Sequence, residues 1–179
     1  MSAMLLAPSR IILYDIKDLR GDILDLRHAC YGLGIATEIT GRLSPVDYAI
    51  IAAGRPRTPE SDGSKAEFYL GNLNTVRAVI RSLLKEGAIK RTTTLIILTN
   101  PVLRITEAIR AEMPGREVHN PEEHLLRIRK GRELGMEIVR TKGYTNFGAA
   151  VSCVHLLQEL ERRRRPPRSG AKRRRISGR

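Results

Sequence analysis

Aromatic residues are scarce in this chain, at 4% of its 179 residues, and tryptophan is absent. A core must therefore be built from aliphatic side chains, which the apolar fraction of 41% supplies in ordinary amount. Long apolar runs are also missing, since none approaches the roughly 20 residues of a membrane-spanning helix. The start of the chain has no basic stretch and only a short apolar one, unlike a secretory signal. We therefore expect a cytoplasmic protein.

Cysteine is equally scarce. Cys30 and Cys153 stand alone, without the CxxC spacing of metal sites. This pattern predicts buried free thiols rather than a disulfide or a metal site. Gln158 is the only glutamine, and arginine greatly outnumbers lysine, a composition that indicates a heat-adapted source.

Acidic residues are absent after Glu161, where cations are concentrated. Without these cations the formal net charge of +13 falls to +3, so the basicity of the chain is local. A segment with so few apolar residues cannot bury enough surface to offset its chain entropy, which predicts a disordered basic tail over residues 162–179. Its ten cations are Arg162, Arg163, Arg164, Arg165, Arg168, Lys172, Arg173, Arg174, Arg175 and Arg179.

The chemistry of this tail predicts binding to RNA. Arginine forms paired hydrogen bonds with phosphate and stacks on bases, and nine of the ten cations are arginine. We therefore expect all ten to contact RNA phosphates, and folded RNA is favoured over a membrane surface. The alternatives are a solvated tail without a partner and a coat for DNA. The absence of aromatic residues from the tail disfavours single strands, which bind by base stacking.

Short apolar runs alternate with helical patterns through residues 1–161, which we interpret as one domain. Strands are predicted within residues 10–16, 35–40, 46–54 and 92–101, and helices within 17–34, 64–87, 102–113, 121–141 and 146–165. Such alternation is typical of parallel strands joined by crossover helices. The predicted fold is an α/β domain: a parallel sheet with flanking helices.

Several motifs resemble those of the lactate and malate dehydrogenases, in the same order, over about residues 10–160. They are Asp15 followed by GDILDLRHA, then DYAIIAAGRPRTP, Asn72 seven residues after Lys65, LTNPV, and KGYTNFGAAVS. The resemblance implies a Rossmann fold that binds NAD. It would place Asp15 on the adenosine ribose, Asn100 beside nicotinamide and substrate, and Arg57 and Lys65 in the active-site loop.

The chain departs from the family at the positions that carry its chemistry. The glycine-rich turn that anchors the pyrophosphate is expected before Arg10, where no glycine stands. The family's catalytic His, Asp and substrate-binding Arg motifs are missing after Pro114, and His119 and His124 lack their context. Lys65 replaces a loop arginine whose planar fork a lysine does not reproduce. We therefore predict no catalytic residues, no cofactor and no metal.

Asp15 and Asn100 also have simpler interpretations. Asp15 can cap or pair locally, and Asn100 can cap its strand and start the following helix. A second basic cluster stands at Arg127, Arg129, Lys130 and Arg132, and Lys142 and Tyr144 lie in the last motif. For these residues the pattern is equally consistent with RNA contact and with solvent exposure or packing.

Two functions follow from these patterns. The first is a non-enzymatic RNA-binding protein, built on an inactivated dehydrogenase scaffold within the ribosome or another large ribonucleoprotein. Its partners would be ribosomal RNA and neighbouring ribosomal proteins. The second is an NAD-dependent malate or lactate dehydrogenase-like protein, completed by a partner chain that supplies the missing strand and catalytic histidine.

Overall fold

The computed structural model of the protein describes residues 8–55, 65–125, 141 and 147–164. Strands and helices alternate along these ranges, as the sequence predicts. The strands are β1 (Arg10–Ile12), β2 (Glu38–Thr40), β3 (Tyr48–Ile51), β4 (Thr94–Ile97) and β5 (Val118–His119). The helices are α1 (Arg20–Gly32), α2 (Lys65–Lys85), α3 (Val102–Glu112), α4 (Glu122–Leu125) and α5 (Phe147–Arg164).

The described strands pair in parallel, but in two small sheets rather than one. β1 pairs with β2, and β4 lies between β3 and β5. In the strand order 3-2-1-4-5-6 of doubly wound folds, two such groups flank a central strand. No strand of the described ranges joins β1 to β3. The predicted parallel α/β architecture is confirmed, with an interruption at the middle of the sheet.

Helices cover both faces of the three-stranded sheet. All four β4 residues are buried, which explains why its sequence is a continuous apolar run. Successive strand residues point to opposite faces, so Leu95 and Ile97 pack against α2 and α3. Ile96 points the other way, toward α5, where it contacts a separate cluster formed by Cys153, Leu156, Leu157 and Leu160. α5 is thereby fixed to the body.

The layer formed by β1, α1 and β2 is less buried than its sequence predicts. The predicted buried strand over residues 10–16 ends at Ile12, and Ile16 is 100% exposed. Of the predicted apolar stripe of α1, only Cys30 is buried. The reason is the width of the sheet, because two strands of three residues cannot cover a helix of 13 residues.

The other predicted elements are found within their predicted ranges, while β5, with only two residues, was too short to be predicted. Of the helix predicted over residues 121–141, only α4 and residue 141 are described, so Arg127, Arg129, Lys130 and Arg132 lie outside the described residues. Cys30 and Cys153 are buried free thiols, as predicted, and burial raises the pKa of the Cys153 thiol to about 11. None of the described helices could span a membrane.

Candidate functional site

Two loops meet at the carboxyl edge of the three-stranded sheet, the edge at which doubly wound proteins bind ligands. The fully buried side chain of Asn72, on α2, joins them. Its Oδ1 accepts a hydrogen bond of 2.7 Å from the backbone N–H of Arg55. Its Nδ2 donates to the backbone oxygens of Asn100 at 2.7 Å and of Arg55 at 3.4 Å. Asn72 therefore links the loop after β3 to the loop after β4.

Gly54 fills the space between these two loops. A Cβ atom at Gly54 would lie 2.6 Å from Cγ2 of Thr99 and 3.1 Å from Oδ1 of Asn72. Thr99 cannot easily move away, because its hydroxyl donates a hydrogen bond of 2.8 Å to the backbone oxygen of Ala53. Only glycine fits at this position without displacing its neighbours.

Replacing Gly54 with alanine should therefore lower the free energy of unfolding, by about 1–3 kcal/mol, because overpacking displaces surrounding atoms. Urea denaturation followed by circular dichroism measures the change. Gly71→Ala is the matched control, since a Cβ at Gly71 of α2 would meet open space. That substitution should raise stability by about 0.5–1 kcal/mol. Equal stability of Gly54→Ala and the native protein would contradict this packing.

The positions implied by the dehydrogenase resemblance do not converge on a common site among the described residues. Asp15 is exposed, and its Oδ1 accepts a hydrogen bond of 3.0 Å from the backbone N–H of Lys17, which is the local pairing that the sequence allowed. Lys65 is exposed at the first residue of α2. Arg57, Lys142 and Tyr144 lie outside the described residues.

Asn100 contributes its backbone rather than its side chain. Helix α3 has Pro101 at its N-cap and no side-chain capping hydrogen bond. Asn100 therefore lies in the turn between the end of β4 at Ile97 and the start of α3 at Val102, one residue before the capping position. The role of Asn72 in joining the two loops was not predicted, although the sequence carries a signal for it. Asn72 is a polar residue four positions before Val76 on the buried stripe of α2.

The residues described at the carboxyl edge do not supply a dinucleotide site. The dehydrogenase resemblance places the pyrophosphate turn before Arg10, and residues 1–9 contain no glycine. The amide of Asn72 is already used within the protein. Asn120, after β5, is fully buried, and its Nδ2 has no acceptor among the described residues, but a single donor is not a nucleotide site.

The cavities of 170 Å³ and 420 Å³ found among the described residues lie away from this edge. Arg27, Tyr31 and Ile39 line the first, and Arg42, Pro45 and Glu86 are among the residues lining the second. Within the described ranges no group of His, Cys, Asp and Glu could hold a metal ion. His119 lies on β5 beside Ile96, and His124 falls in the short helix α4.

The end of α5 lies at the opposite edge of the sheet, where β3, β4 and β5 begin. We call it the amino edge and define it by residues 85–93 and 113–117 together with the last turn of α5. There the guanidinium of Arg164 lies 4.6 Å from the centre of the Tyr48 ring. Its Nη2 donates to Thr94 Oγ1 at 2.7 Å and lies 3.5 Å from Glu117 Oε2.

These contacts form a connected network. The Thr94 hydroxyl donates to Glu117 at 2.7 Å, and this hydrogen bond, together with the positive charge of Arg164, lowers the pKa of the Glu117 carboxyl. The Tyr48 hydroxyl donates to Glu161, also on α5, at 2.8 Å. Burial and the Glu161 hydrogen bond raise the pKa of Tyr48, so this tyrosine stays neutral. The last turn of α5 is therefore held against the body by polar contacts in addition to its apolar face.

The predicted RNA-binding cations divide into two groups. Arg162, Arg163 and Arg164 belong to the last turn of α5, so the helix continues past the predicted domain boundary after residue 161. Arg162 and Arg163 are exposed, whereas Arg164 is engaged with the body. The other seven lie outside the described residues: Arg165, Arg168, Lys172, Arg173, Arg174, Arg175 and Arg179.

These features define a mixed α/β domain of Rossmann-like fold, in which small parallel sheets are flanked by helices. The structure is similar to the malate dehydrogenase of Archaeoglobus fulgidus in complex with NADH, with a TM-score of 0.64 and 17% sequence identity over 79% of this chain. The chain spans 64% of the length of that dehydrogenase. No protein-family model and no curated protein matches the sequence. The resemblance to the dehydrogenases is thus a weak one, and at this identity it concerns the fold alone.

Proposed function

We propose that this protein is a non-enzymatic RNA-binding component of a large cytoplasmic ribonucleoprotein such as the ribosome, built on a dehydrogenase-like fold. The observation that supports this function best is the attachment of Arg164 to Tyr48, Thr94 and Glu117. Seven further cations follow Arg164 within fifteen residues and without an acid among them. The basic segment therefore starts from a fixed point on a folded body.

A fixed starting point suits a protein that positions RNA. Arginine side chains bind phosphate oxygens, and such contacts supply affinity and orientation rather than base recognition. A segment that folds on binding loses chain entropy at that moment, and anchoring one end reduces the freedom that must be lost. The internally bonded carboxyl edge supports the non-enzymatic part of the proposal, because Asn72 there serves the body itself.

Sedimentation of the native protein with ribosomal particles tests this function. In a sucrose gradient at low salt, we expect the protein to travel with the particles, and at high salt we expect it to remain at the top. Salt sensitivity is expected because phosphate contacts depend steeply on ionic strength. A protein that remains at the top of the gradient at both salt concentrations would rule out the ribosomal assignment.

The second candidate function is a dehydrogenase-like protein completed by a partner chain. The similarity to an NADH-bound malate dehydrogenase and the interruption between β1 and β3 favour it. A partner strand could pair with an open sheet edge.

A titration with NADH, followed by nicotinamide fluorescence, separates the two candidates. We expect no binding at millimolar cofactor, because residues 1–9 contain no glycine for a pyrophosphate turn and the amide of Asn72 is used within the protein. The archaeal malate dehydrogenase, measured under the same conditions, serves as the positive control. Saturable binding by this chain would favour the second candidate instead.

A further inference from the structure

Exposed cations gather at the amino edge from parts of the chain that are far apart in sequence. α2 ends in Lys85, the loop before β4 carries Lys90 and Arg91, and the last turn of α5 carries Arg162 and Arg163. The right-handed βαβ connections explain this gathering, because helices run antiparallel to the strands and therefore end where the strands begin. The edge thus combines helix ends with the loops that enter β4 and β5.

The loop that carries Lys90 and Arg91 is held in place. Arg116 Nη1 donates to the backbone oxygens of Lys90 at 2.5 Å and of Thr93 at 3.3 Å. The hydroxyl of Thr93 accepts from the Lys90 backbone N–H at 2.9 Å and donates to the Val46 oxygen at 2.7 Å. The hydrogen bonds of Arg116 and of Thr93 therefore hold the loop backbone in place. Lys90 and Arg91 project from this rigid backbone.

The acidic residues near this surface are mostly engaged. Glu117 accepts from Thr94 and pairs with Arg164, and Glu161 accepts from Tyr48. Glu112, at the end of α3, pairs with Arg77, and this hydrogen bond lowers the pKa of the Glu112 carboxyl.

Two exposed carboxylates, Glu86 at this edge and Asp47 directly before β3, have no hydrogen bond or ion pair with the described residues. The exposed cations of the amino edge outnumber these two carboxylates; they are Lys85, Lys90, Arg91, Arg162 and Arg163. The amino edge is therefore positive on balance.

We infer that the amino edge is a second phosphate-binding surface, formed by the folded body, which binds the same RNA as the basic tail. This inference rests on the proposed function and adds to it the face of the body that meets the RNA. Arg162 and Arg163 make the surface continuous with the tail, so one RNA segment can contact both. Rigidly placed cations suit a duplex region, whose phosphates have regular spacing and whose recognition depends on shape.

The test compares two double variants of the full chain. Lys90→Gln with Arg91→Gln removes two charges from the amino edge. Arg55→Gln with Lys65→Gln removes one arginine and one lysine from exposed positions at the carboxyl edge of the same sheet. The side chains of all four residues are exposed, so both variants should fold. The probe is a hairpin RNA, and its dissociation constant is measured over a series of salt concentrations.

We expect the Lys90→Gln, Arg91→Gln variant to flatten the slope of log K against log salt by about 1.4–1.8, since each lost phosphate contact contributes roughly 0.7–0.9. The same loss weakens binding about 25- to 60-fold at 0.1 M salt. The carboxyl-edge variant should retain the native slope. Equal salt slopes for the two double variants would overturn the inference, whatever the value of that slope.

Further outcomes separate this inference from the function on which it rests. If the amino-edge variant binds like the native protein while neutralisation of the tail abolishes binding, the body surface is excluded and the RNA-binding function stands. If the native protein does not bind the hairpin at all, the proposed function itself fails. Equal affinity for duplex DNA of the same length would show a general polyanion surface and overturn the assignment to RNA.

Discussion

Replacement of the seven cations after Arg164 with glutamine should weaken RNA binding at least about a thousand-fold at moderate salt, because counterion release from the phosphates dominates such affinity. The slope of log K against log salt should become shallower by about 5–6, at roughly 0.7–0.9 for each contact. The seven are Arg165, Arg168, Lys172, Arg173, Arg174, Arg175 and Arg179. Fluorescence anisotropy with a hairpin RNA over a salt series measures both quantities.

Two control variants separate charge from other properties of the tail. Glutamine at Ser169, Ala171 and Ser177 changes the same segment but keeps every cation, and it should leave the slope unchanged. Lysine at the six arginines after Arg164 keeps the charge but removes the planar fork, so it should retain most of the slope and lose part of the affinity. A fully neutralised tail that retained the native slope would contradict a tail-driven interaction.

Replacement of Asn72 with alanine should lower the free energy of unfolding by about 2–4 kcal/mol. The substitution leaves the backbone N–H of Arg55 and the backbone oxygen of Asn100 without their partner, the fully buried Asn72 amide, at roughly 1–3 kcal/mol for each unsatisfied group. Asn72→Leu nearly preserves the volume and should lose a similar amount, which assigns the effect to hydrogen bonding rather than to a cavity. Urea denaturation measures all three proteins.

Asn74 provides the matched control on the same helix. It is exposed, and its Oδ1 accepts only a hydrogen bond from Arg77. Asn74→Ala should change stability by less than about 0.5 kcal/mol. RNA affinity of the Asn72 variants, measured well below their unfolding midpoint, should match that of the native protein. Equal free energies of unfolding for Asn72→Ala and Asn74→Ala would contradict the role of Asn72 in joining the two loops.

The first prediction concerns the segment that follows the amino edge in sequence, and the second concerns the carboxyl edge of the same sheet. At the carboxyl edge, where doubly wound folds bind ligands, Asn72, Thr99 and Gly54 bond to or pack against neighbouring loops. At the amino edge, exposed cations surround the end of α5. The proposed RNA-binding function therefore uses a different part of the fold from the one that serves nucleotides in dehydrogenases.

The elements of the main sheet could be predicted from the sequence because their patterns depend on burial along a single segment. The apolar run 94–97 is a buried strand, and the stripe through Leu73, Val76 and Ile80 marks one face of α2. The same reasoning failed for the layer formed by β1, α1 and β2. The burial of Ile16 and of the apolar stripe of α1 depends on the width of the sheet beside them. Other segments form that sheet, so the local periodicity of residues 10–34 does not predict its width.

The sequence by itself determined the class of the fold, the concentration of charge after Glu161 and the chemistry of that charge. These are properties of composition and local pattern, and they need no knowledge of distant contacts. Only the tertiary structure decided that Arg164 is a body residue, that Asn72 joins two loops, and that Lys90 and Arg91 share an edge with the end of α5. Each of these depends on residues 17 to 116 positions apart, which meet because parallel strands and their crossover helices bring the same ends together.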